Sequence, residues 1–503
     1  MRRPTFFLLG VVGLLGMSAC AASDSYVRTR GAEELTTVDT TPTTQDPFET
    51  STVPEEPVTT EPQQPESTTP DAGGPVFTLP ADKPAQPYDD YLEAAVNDIQ
   101  NYWRNEFPAL YGKPYPELQN GIHAMRPGDT VTPGCGEPVT DYSAVEGNAF
   151  YCGDGDFVAY DDAELIPQLV QGMDDVSVGV VLAHEWGHAI QARIPYEDET
   201  IYLEQQADCF AGSWLAHISR GESSEIEFKD SDLKNALSAM IFVRDEPGTT
   251  AAADPLAHGS AFDRVGAFED GFRNGATQCA TYSTTHPTII QFGYDQTDPN
   301  IAGQENAPLD DPTGAGQDIV TLASTELNVY WPTVVPGFPS PTVNVYTGEP
   351  STACDPAPAA IFQVAFYCPA TNTVPIETSR VDQIYNQPEL GDFGVVYVMA
   401  TAWAEAALDK MGSTVEGEQR ALAADCMVGA FTRSVLPADF NPSRSTTDTQ
   451  LSPGDLDEAV STAIAASDAT EDTNENGSPF EKIESFRLGV LKDFGACKDR
   501  FGL

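Results

Sequence analysis

The chain has 503 residues, which is enough for two or three domains. It contains 77 Asp and Glu residues against 25 Lys and Arg, giving a formal net charge of −52 and a pI near 4.1. This acidity excludes nucleic acids and anionic lipid headgroups as expected partners, because both are negatively charged.

The first residues predict export. Two arginines precede a short apolar stretch that is too short for a comfortable membrane span. The run Met17-Ser18-Ala19-Cys20 resembles a bacterial lipobox, in which the cysteine becomes the lipidated first residue of the mature protein. We therefore expect a lipoprotein-type signal peptide over 1–20, with Cys20 anchored at the outer face of the cell membrane. The alternatives are an ordinary secretory signal cleaved near Ala19 or Ala22, which gives a secreted protein, and an uncleaved anchor.

Residues 21–87 differ in composition from the rest of the chain. They are rich in Thr, Pro, Glu, Asp and Gln and hold almost no aliphatic clusters. Such a segment cannot bury enough apolar surface to offset its ordering entropy. We expect a disordered, acidic tether that proline and like-charge repulsion keep extended.

The pattern after residue 88 predicts a few strands followed by several helices. Apolar periodicity indicates an amphipathic helix over 95–107 that ends before Pro108. Two short strands are expected within 148–160, around a Gly-Asp-Gly-Asp hairpin signal. Three further helices, the last with a serine N-cap, are expected over 177–192, 201–219 and 260–274. This order of elements predicts an α+β domain.

The helix expected over 177–192 carries the run His184-Glu185-Trp186-Gly187-His188. Histidines four residues apart lie on one face of a helix, so they can occupy two corners of a tetrahedral zinc site beside a glutamate that handles protons. The third ligand is expected from Glu204 at the start of the next helix, with the acidic residues 197–199 as loop alternatives. Asp208, one turn further, can accept the free N–H of a ligating histidine. The alternative interpretation is a pair of core histidines next to an ordinary buried acid.

Self-comparison of the sequence indicates an internal repeat. The motifs of the first half are repeated in the second half, in the same order and at similar spacing. The matching segments are 102–103 with 330–331, 148–152 with 364–368, 207–212 with 424–429, and 259–262 with 477–480. We therefore expect two copies of one domain, over 88–300 and 315–503, joined by a linker over 301–314.

The nine cysteines agree with this repeat. An odd number leaves one thiol unpaired in an exported protein, and removing Cys20 as the lipid site leaves four in each copy. Four cysteines allow three pairings, and a buried free thiol at Cys209 is a further alternative. Disulfides indicate an oxidising compartment. Proximity in the sequence favours the pairs Cys135–Cys152, Cys209–Cys279, Cys354–Cys368 and Cys426–Cys497.

The second copy lacks the metal motif. All six histidines of the chain precede residue 290. We therefore expect one Zn²⁺, in the first copy only, and a second copy that is catalytically inactive and serves binding, packing or regulation. Alignment places Thr401, Ala402, Glu405 and Ala421 opposite His184, Glu185, His188 and Glu204.

Together, the motifs at 150–152, 184–188, 204–209 and 258–260 resemble the bacterial neutral zinc metallopeptidase family, which is zincin-like. The resemblance covers about 88–290. It implies a zincin fold in which His184, His188 and Glu204 are the zinc ligands. It does not specify a substrate.

The resemblance also implies a mechanism. Glu185 would accept a proton from a zinc-bound water that attacks a peptide carbonyl, and would pass it to the leaving amine. His258 is expected as an oxyanion donor, because thermolysin-like sites use a histidine there. The alternative is helix capping by the corner His258-Gly259-Ser260.

The sequence thus predicts an exported, lipid-anchored zinc metallopeptidase that acts on peptide or protein substrates. Its contact with the membrane is expected through the lipid alone, and nothing in the sequence specifies an oligomeric state. The rival hypothesis is a non-catalytic cell-surface scaffold or binding protein in which zinc is structural or absent.

Overall fold

The computed structural model describes residues 77, 79, 83–194, 196–348, 364–441, 449–467 and 476–503. The predicted signal peptide with Cys20, most of the predicted tether, and Cys354 lie outside these ranges. Helices predominate over short strands, which confirms the expected α+β class. Within the described ranges, no helix has both the length and the apolar character needed to cross a membrane.

Among the residues described in the first half, the structure has a small sheet and six α-helices. Strands β1, β5 and β4 lie side by side in that order, with β1 parallel and β4 antiparallel to β5, so β4 is an edge strand. Strands β2 and β3 form a separate antiparallel pair. The elements are α1 (Asp89–Tyr111), β1 (Ile122–Met125), β2 (Thr130–Val131), β3 (Thr140–Asp141), β4 (Ala149–Cys152), β5 (Phe157–Asp161), α2 (Leu165–Met173), α3 (Val176–Gln191), α4 (Thr200–Ser219), α5 (Asp232–Phe242) and α6 (Ala261–Ala280).

Helix α1 is longer than the sequence predicts. It begins at Asp89 and continues through Pro108 to Tyr111, where Gly112 ends it with a left-handed φ of 67°. The ring of Tyr111 lies 4.8 Å from the buried ring of Phe107, centroid to centroid. The expected stop before Pro108 is therefore wrong, because packing of the last turn outweighs the hydrogen bond that proline removes.

Helices α3, α4 and α6 form the centre of the first half. Helix α3 is buried on nearly every face, and α4 packs between α3 and α6. A Cβ atom at Gly187 would lie 2.7 Å from the Cα of Ala207, so this glycine allows α3 and α4 to approach each other closely. The disulfide Cys209–Cys279 joins α4 to α6, as expected from the sequence.

The remaining described disulfides also follow the expected pairs. Cys135 is bonded to Cys152 of β4. In the second half, Cys426 is bonded to Cys497, 71 residues further along the chain. The pair proposed for Cys354 lies outside the described residues.

The second half is mostly helical. Strands β6 and β7 are parallel neighbours. The segment expected as a linker packs on this half, because Ala307 is fully buried and donates its N–H to Asp392 at 2.7 Å. The elements are α7 (Ile319–Val334), β6 (Thr342–Tyr346), β7 (Thr373–Glu377), α8 (Thr378–Tyr385), α9 (Gly391–Met411), α10 (Gly417–Val435), α11 (Asp455–Ala465), α12 (Pro479–Leu491) and α13 (Phe494–Phe501).

The two halves share one continuous apolar core. Helix α6 of the first half contacts α11 and α12 of the second. The N–H of Phe262 donates to Asp457 at 3.0 Å, and Asp457 also pairs with Arg244 at 3.3 Å. The guanidinium of Arg487 lies over the ring of Phe262, 4.2 Å from its centroid. Polar and apolar contacts therefore fasten the start of α6 to the second half.

Candidate metal centre

Two helices bring three candidate metal ligands together. His184 and His188 lie one turn apart on α3, and Glu204 lies in the second turn of α4. The two Nε2 atoms are 3.2 Å apart, and the Glu204 carboxylate lies 3.2 Å from one and 3.3 Å from the other. His184 and Glu204 are buried, and the His188 side chain is 19 % exposed. The sequence proposed these same three residues.

Hydrogen bonds on the far side of each ring fix where the protons lie. Nδ1 of His184 is 2.7 Å from Asp208 Oδ1, and Nδ1 of His188 is 2.9 Å from Gln191 Oε1. Both partners accept, so each neutral ring carries its proton on Nδ1 and presents a lone pair at Nε2. These two lone pairs and the Glu204 carboxylate face one another within 3.3 Å. Such a set of donors repels itself unless a cation lies among them, and two imidazoles with one carboxylate suit Zn²⁺.

The charges around the site are strongly coupled. Burial opposes a charge on His184, but Asp208 and Glu204 outweigh it and raise its pKa to about 10. Burial likewise opposes a charge on His188, and Glu204 again raises the pKa. Burial disfavours the Glu204 carboxylate, yet His188 and its neighbours hold its pKa well below the usual value. A metal cation and a proton therefore compete for the Nε2 lone pairs of His184 and His188.

A buried arginine that sequence reasoning missed supports Asp208. The Nε and Nη2 atoms of Arg264 donate to Asp208 at 3.0 and 2.8 Å, and Nη1 donates to the Val243 carbonyl at 2.6 Å. Neither charged side chain is exposed. Burial would raise the pKa of Asp208, but Arg264 and His184 lower it. Asp208 therefore stays ionised and can hold the His184 ring in one orientation.

Gln191 orients His188 through a hydrogen bond, and the sequence analysis did not predict this contact. Its amide NH₂ donates to the Leu203 carbonyl at 2.7 Å, which leaves Oε1 to accept from His188. It lies three residues after His188 in α3, a spacing at which helical side chains meet. Gln191 therefore connects a ligand on α3 to the start of α4.

Glu185 faces the small sheet. Its side chain is buried, and Oε2 accepts a hydrogen bond from the N–H of Tyr151 on the edge strand β4 at 2.9 Å. Its charge also contributes to the raised pKa of His188. The carboxylate is thus held between the helix of the ligands and the strand edge.

His258 is held by an aspartate. Its own N–H and that of Gly259 donate to Asp245 Oδ2 at 2.8 Å, and its Nδ1 lies 3.2 Å from Oδ1. The charge of His258 helps to lower the pKa of Glu204. Capping of α6 falls to Ser260, whose hydroxyl accepts from the Asp263 N–H at 3.2 Å. The corner therefore caps the helix without using the imidazole of His258.

The loop alternatives to Glu204 lie outside this group of ligands. Asp198 pairs with His286 at 2.7 Å. The ring of His286 in turn stacks on Tyr202 with centroids 3.8 Å apart. Among the described residues, the only groups of three or more His, Cys, Asp and Glu that could hold a metal are His184 with His188 and Glu204, and a separate trio of acids in the second half.

A helical His-Glu-x-x-His motif completed by a glutamate from the next helix defines the class of zinc-dependent metallopeptidases. Residues 81–282 match the model of the family described as "Putative neutral zinc metallopeptidase". An uncharacterized protein of Mycobacterium tuberculosis is 28 % identical over 217 residues, which is 38 % of this chain and 69 % of the relative. The uncharacterized protein YpfJ of Escherichia coli is 28 % identical over 245 residues, 42 % of this chain and 78 % of the relative. No solved structure matches the chain.

Proposed function

We propose that the chain is an exported, lipid-anchored zinc metallopeptidase that hydrolyses peptide bonds. The observation that carries this proposal is the grouping of the two histidine Nε2 atoms and the Glu204 carboxylate within 3.3 Å of one another. When bound there, zinc would act as a Lewis acid and lower the pKa of a water ligand towards ~7. The family match supports a zinc peptidase at the level of the family.

Different residues of this chain would then transfer the proton, orient the glutamate and bind the substrate. Glu185 accepts the proton of the attacking water and delivers it to the leaving amine. The Tyr151 N–H orients the carboxylate through its 2.9 Å hydrogen bond. Strand β4 is at the edge of its sheet, so an extended peptide could pair alongside it.

Metal analysis and peptide cleavage, each compared with Glu185→Gln, test this assignment. A purified chain without stoichiometric zinc would favour the rival, a non-catalytic surface scaffold or binding protein.

His258 is the proposed oxyanion donor. Nδ1 lies 3.2 Å from Asp245 Oδ1, and an imidazolium bonded there would present its Nε2–H to a developing oxyanion. We expect His258→Phe to lower kcat by about 10²–10³-fold while zinc content stays unchanged. The control is His217→Gln, since His217 pairs with Asp98 and Glu222 away from the site. An unchanged kcat in His258→Phe would remove His258 from the mechanism.

We also propose that the second half is a degenerate copy of the first. The buried Asp208–Arg264 pair has a counterpart in Asp425–Lys482, which is buried to the same degree and 2.7 Å long. The disulfides joining the matching helices span 70 and 71 residues. Parallel pairing of β1 with β5 and of β6 with β7 adds support.

The contacts of this copy support a non-catalytic role. Glu405, opposite His188, forms an ion pair with Arg420 at 2.5–2.8 Å. The hydroxyl of Tyr397 donates to Asp425 at 2.7 Å, as the imidazole of His184 does to Asp208. We infer that this half packs against the catalytic half. Two zinc ions per chain would contradict the proposal.

Export and anchoring rest on the sequence around Cys20. Conversion of this cysteine to a lipidated N-terminus would hold the protein on the membrane while the acidic segment after it spaces the enzyme from the surface. We expect Cys20→Ala to move the protein from the membrane fraction into the medium. Retention of Cys20→Ala in the membrane fraction would show that the cysteine is not the anchor.

A further inference from the structure

A second group of potential ligands lies in the other half of the molecule. Asp392 is in the first turn of α9, and Asp455 and Glu458 are in the first turn of α11. One carboxylate oxygen of each lies within 4.8 Å of the others. The three residues are 4 %, 4 % and 9 % exposed. The protein therefore buries three acids at one point.

Within the described ranges, none of the ion pairs involves these three acids, so no basic side chain neutralises them. The nearby Arg244 pairs with Asp457 and Glu389 instead. Burial, followed by repulsion from Asp392 and Asp455, raises the pKa of Glu458 to about 11. Burial also raises the pKa of Asp455 and of Asp392. In their ionised form, these acids would be costly to bury unless something positive compensated them.

The hydrogen bonds leave one oxygen of Asp392 without a donor. Asp392 Oδ2 accepts from the Ala307 N–H at 2.7 Å, but its buried Oδ1 has no hydrogen-bond partner in the described part of the chain while both Asp392 and Glu458 are ionised. The other acids are anchored from outside the group. Ser452 donates to both oxygens of Asp455 at 2.7 and 2.9 Å, and the Phe393 N–H donates to Glu458 Oε2 at 2.7 Å. The carboxylates are therefore held in place while an unsatisfied oxygen remains among them.

Local backbone geometry brings the carboxylates this close. Gly391 has a φ of 53°, and a Cβ at this position would lie 1.9 Å from Glu458 Oε1. Any other residue would push Glu458 away. A cavity of about 40 Å³ borders Asp392 and Asp455, which leaves room for a water molecule.

We propose that Asp392, Asp455 and Glu458 form a calcium site. Three carboxylates are hard oxygen ligands, which Ca²⁺ accepts in irregular arrangements of 6–8 oxygens. Mg²⁺ demands a near-ideal octahedron and keeps more of its water, and Zn²⁺ prefers nitrogen and sulfur ligands. The ion would fasten the 301–309 segment, through Ala307 and Asp392, to the starts of α9 and α11.

The test uses the full chain with His184→Ala and His188→Ala, so that its outcome is separate from the proposed zinc chemistry. Equilibrium dialysis with radiolabelled calcium should give one ion per chain with a Kd of about 10⁻³ M or tighter. The thermal unfolding midpoint should rise with calcium concentration. Glu458→Gln and Asp455→Asn should each abolish both effects, whereas Glu305→Gln, an exposed acid on the same segment, should retain them.

Glu458→Gln removes like-charge repulsion, so it should fold, and its midpoint without calcium should equal or exceed that of the parent. No bound calcium in the parent at about 10 mM would overturn the proposal, and the trio would then be neutralised by protons. Undiminished binding in Glu458→Gln and Asp455→Asn would place the ion elsewhere. An equal response to Mg²⁺ would overturn the assignment to calcium.

Discussion

Glu185→Gln is expected to lower kcat for peptide hydrolysis by about 10²–10⁴-fold, because an amide cannot accept the proton of the attacking water. The glutamine keeps the shape of the side chain, and its oxygen can still accept from the Tyr151 N–H. Fold and zinc content should therefore be unchanged. The measurement is kcat on a fluorogenic peptide library, with metal analysis of the same preparation.

Glu197→Gln is the matched control for this experiment. Glu197 is an exposed acid shortly before α4, in the loop whose acids are the alternatives to Glu204 in the sequence. Its amide variant should keep full activity. Full activity in Glu185→Gln would exclude the proposed proton transfer. Loss of zinc together with activity would instead make Glu185 a structural residue of the site.

Arg264→Met is expected to destabilise the protein by about 3–5 kcal/mol, because it leaves Asp208 as an unpaired charge in the core. Both side chains are completely buried. Since Asp208 orients His184, zinc affinity should also fall by about 10–100-fold. Denaturant unfolding of the zinc-free chain, followed by tryptophan fluorescence, measures the first effect, and zinc titration measures the second.

The chain supplies its own control for this substitution. Lys482→Met removes the matching buried cation beside Asp425 and should cost a similar free energy of unfolding. It should leave zinc affinity unchanged, because no ligand depends on Asp425. The double variant Asp208→Asn/Arg264→Met should recover much of the stability lost in Arg264→Met. Equal loss of zinc affinity in Lys482→Met would contradict the orienting role of Asp208.

Local patterns in the sequence predict which three side chains lie together at the candidate metal centre. His184 and His188 share a helical face because of the 3.6-residue period, and Glu204 lies early in the following helix. Burial and hydrophobic contacts then bring the helices together, with Gly187 at the point of closest approach. The spacing of the cysteines also indicated which helices would be joined.

The residues that support the ligands could not be predicted in this way. Arg264 reaches Asp208 from 56 residues away, and Asp245 holds His258 from a loop. One signal was available for Arg264. A basic residue follows the serine cap by four positions in both halves, at Arg264 and at Lys482.

The acidic composition of the chain prevents a sequence-based prediction of the buried acids Asp392, Asp455 and Glu458. In a chain with 77 acidic residues, each aspartate or glutamate is expected on the surface unless a contact shows otherwise. Asp392 and Glu458 lie on different helices, and the N–H of Phe393 reaches Glu458 from 65 residues away, so the acids meet only in the folded chain. No local pattern could single them out.

The shared core means that the second half covers apolar surface of the first half. The ring of Phe480 packs against Phe272 at 4.7 Å and Phe268 at 6.3 Å, and Phe486 lies 6.2 Å from Phe262. A chain cut after the family segment would lose these ring contacts and expose apolar surface of α6 to water. Selection can therefore maintain the second half through the solubility of its neighbour, independently of any chemistry of its own.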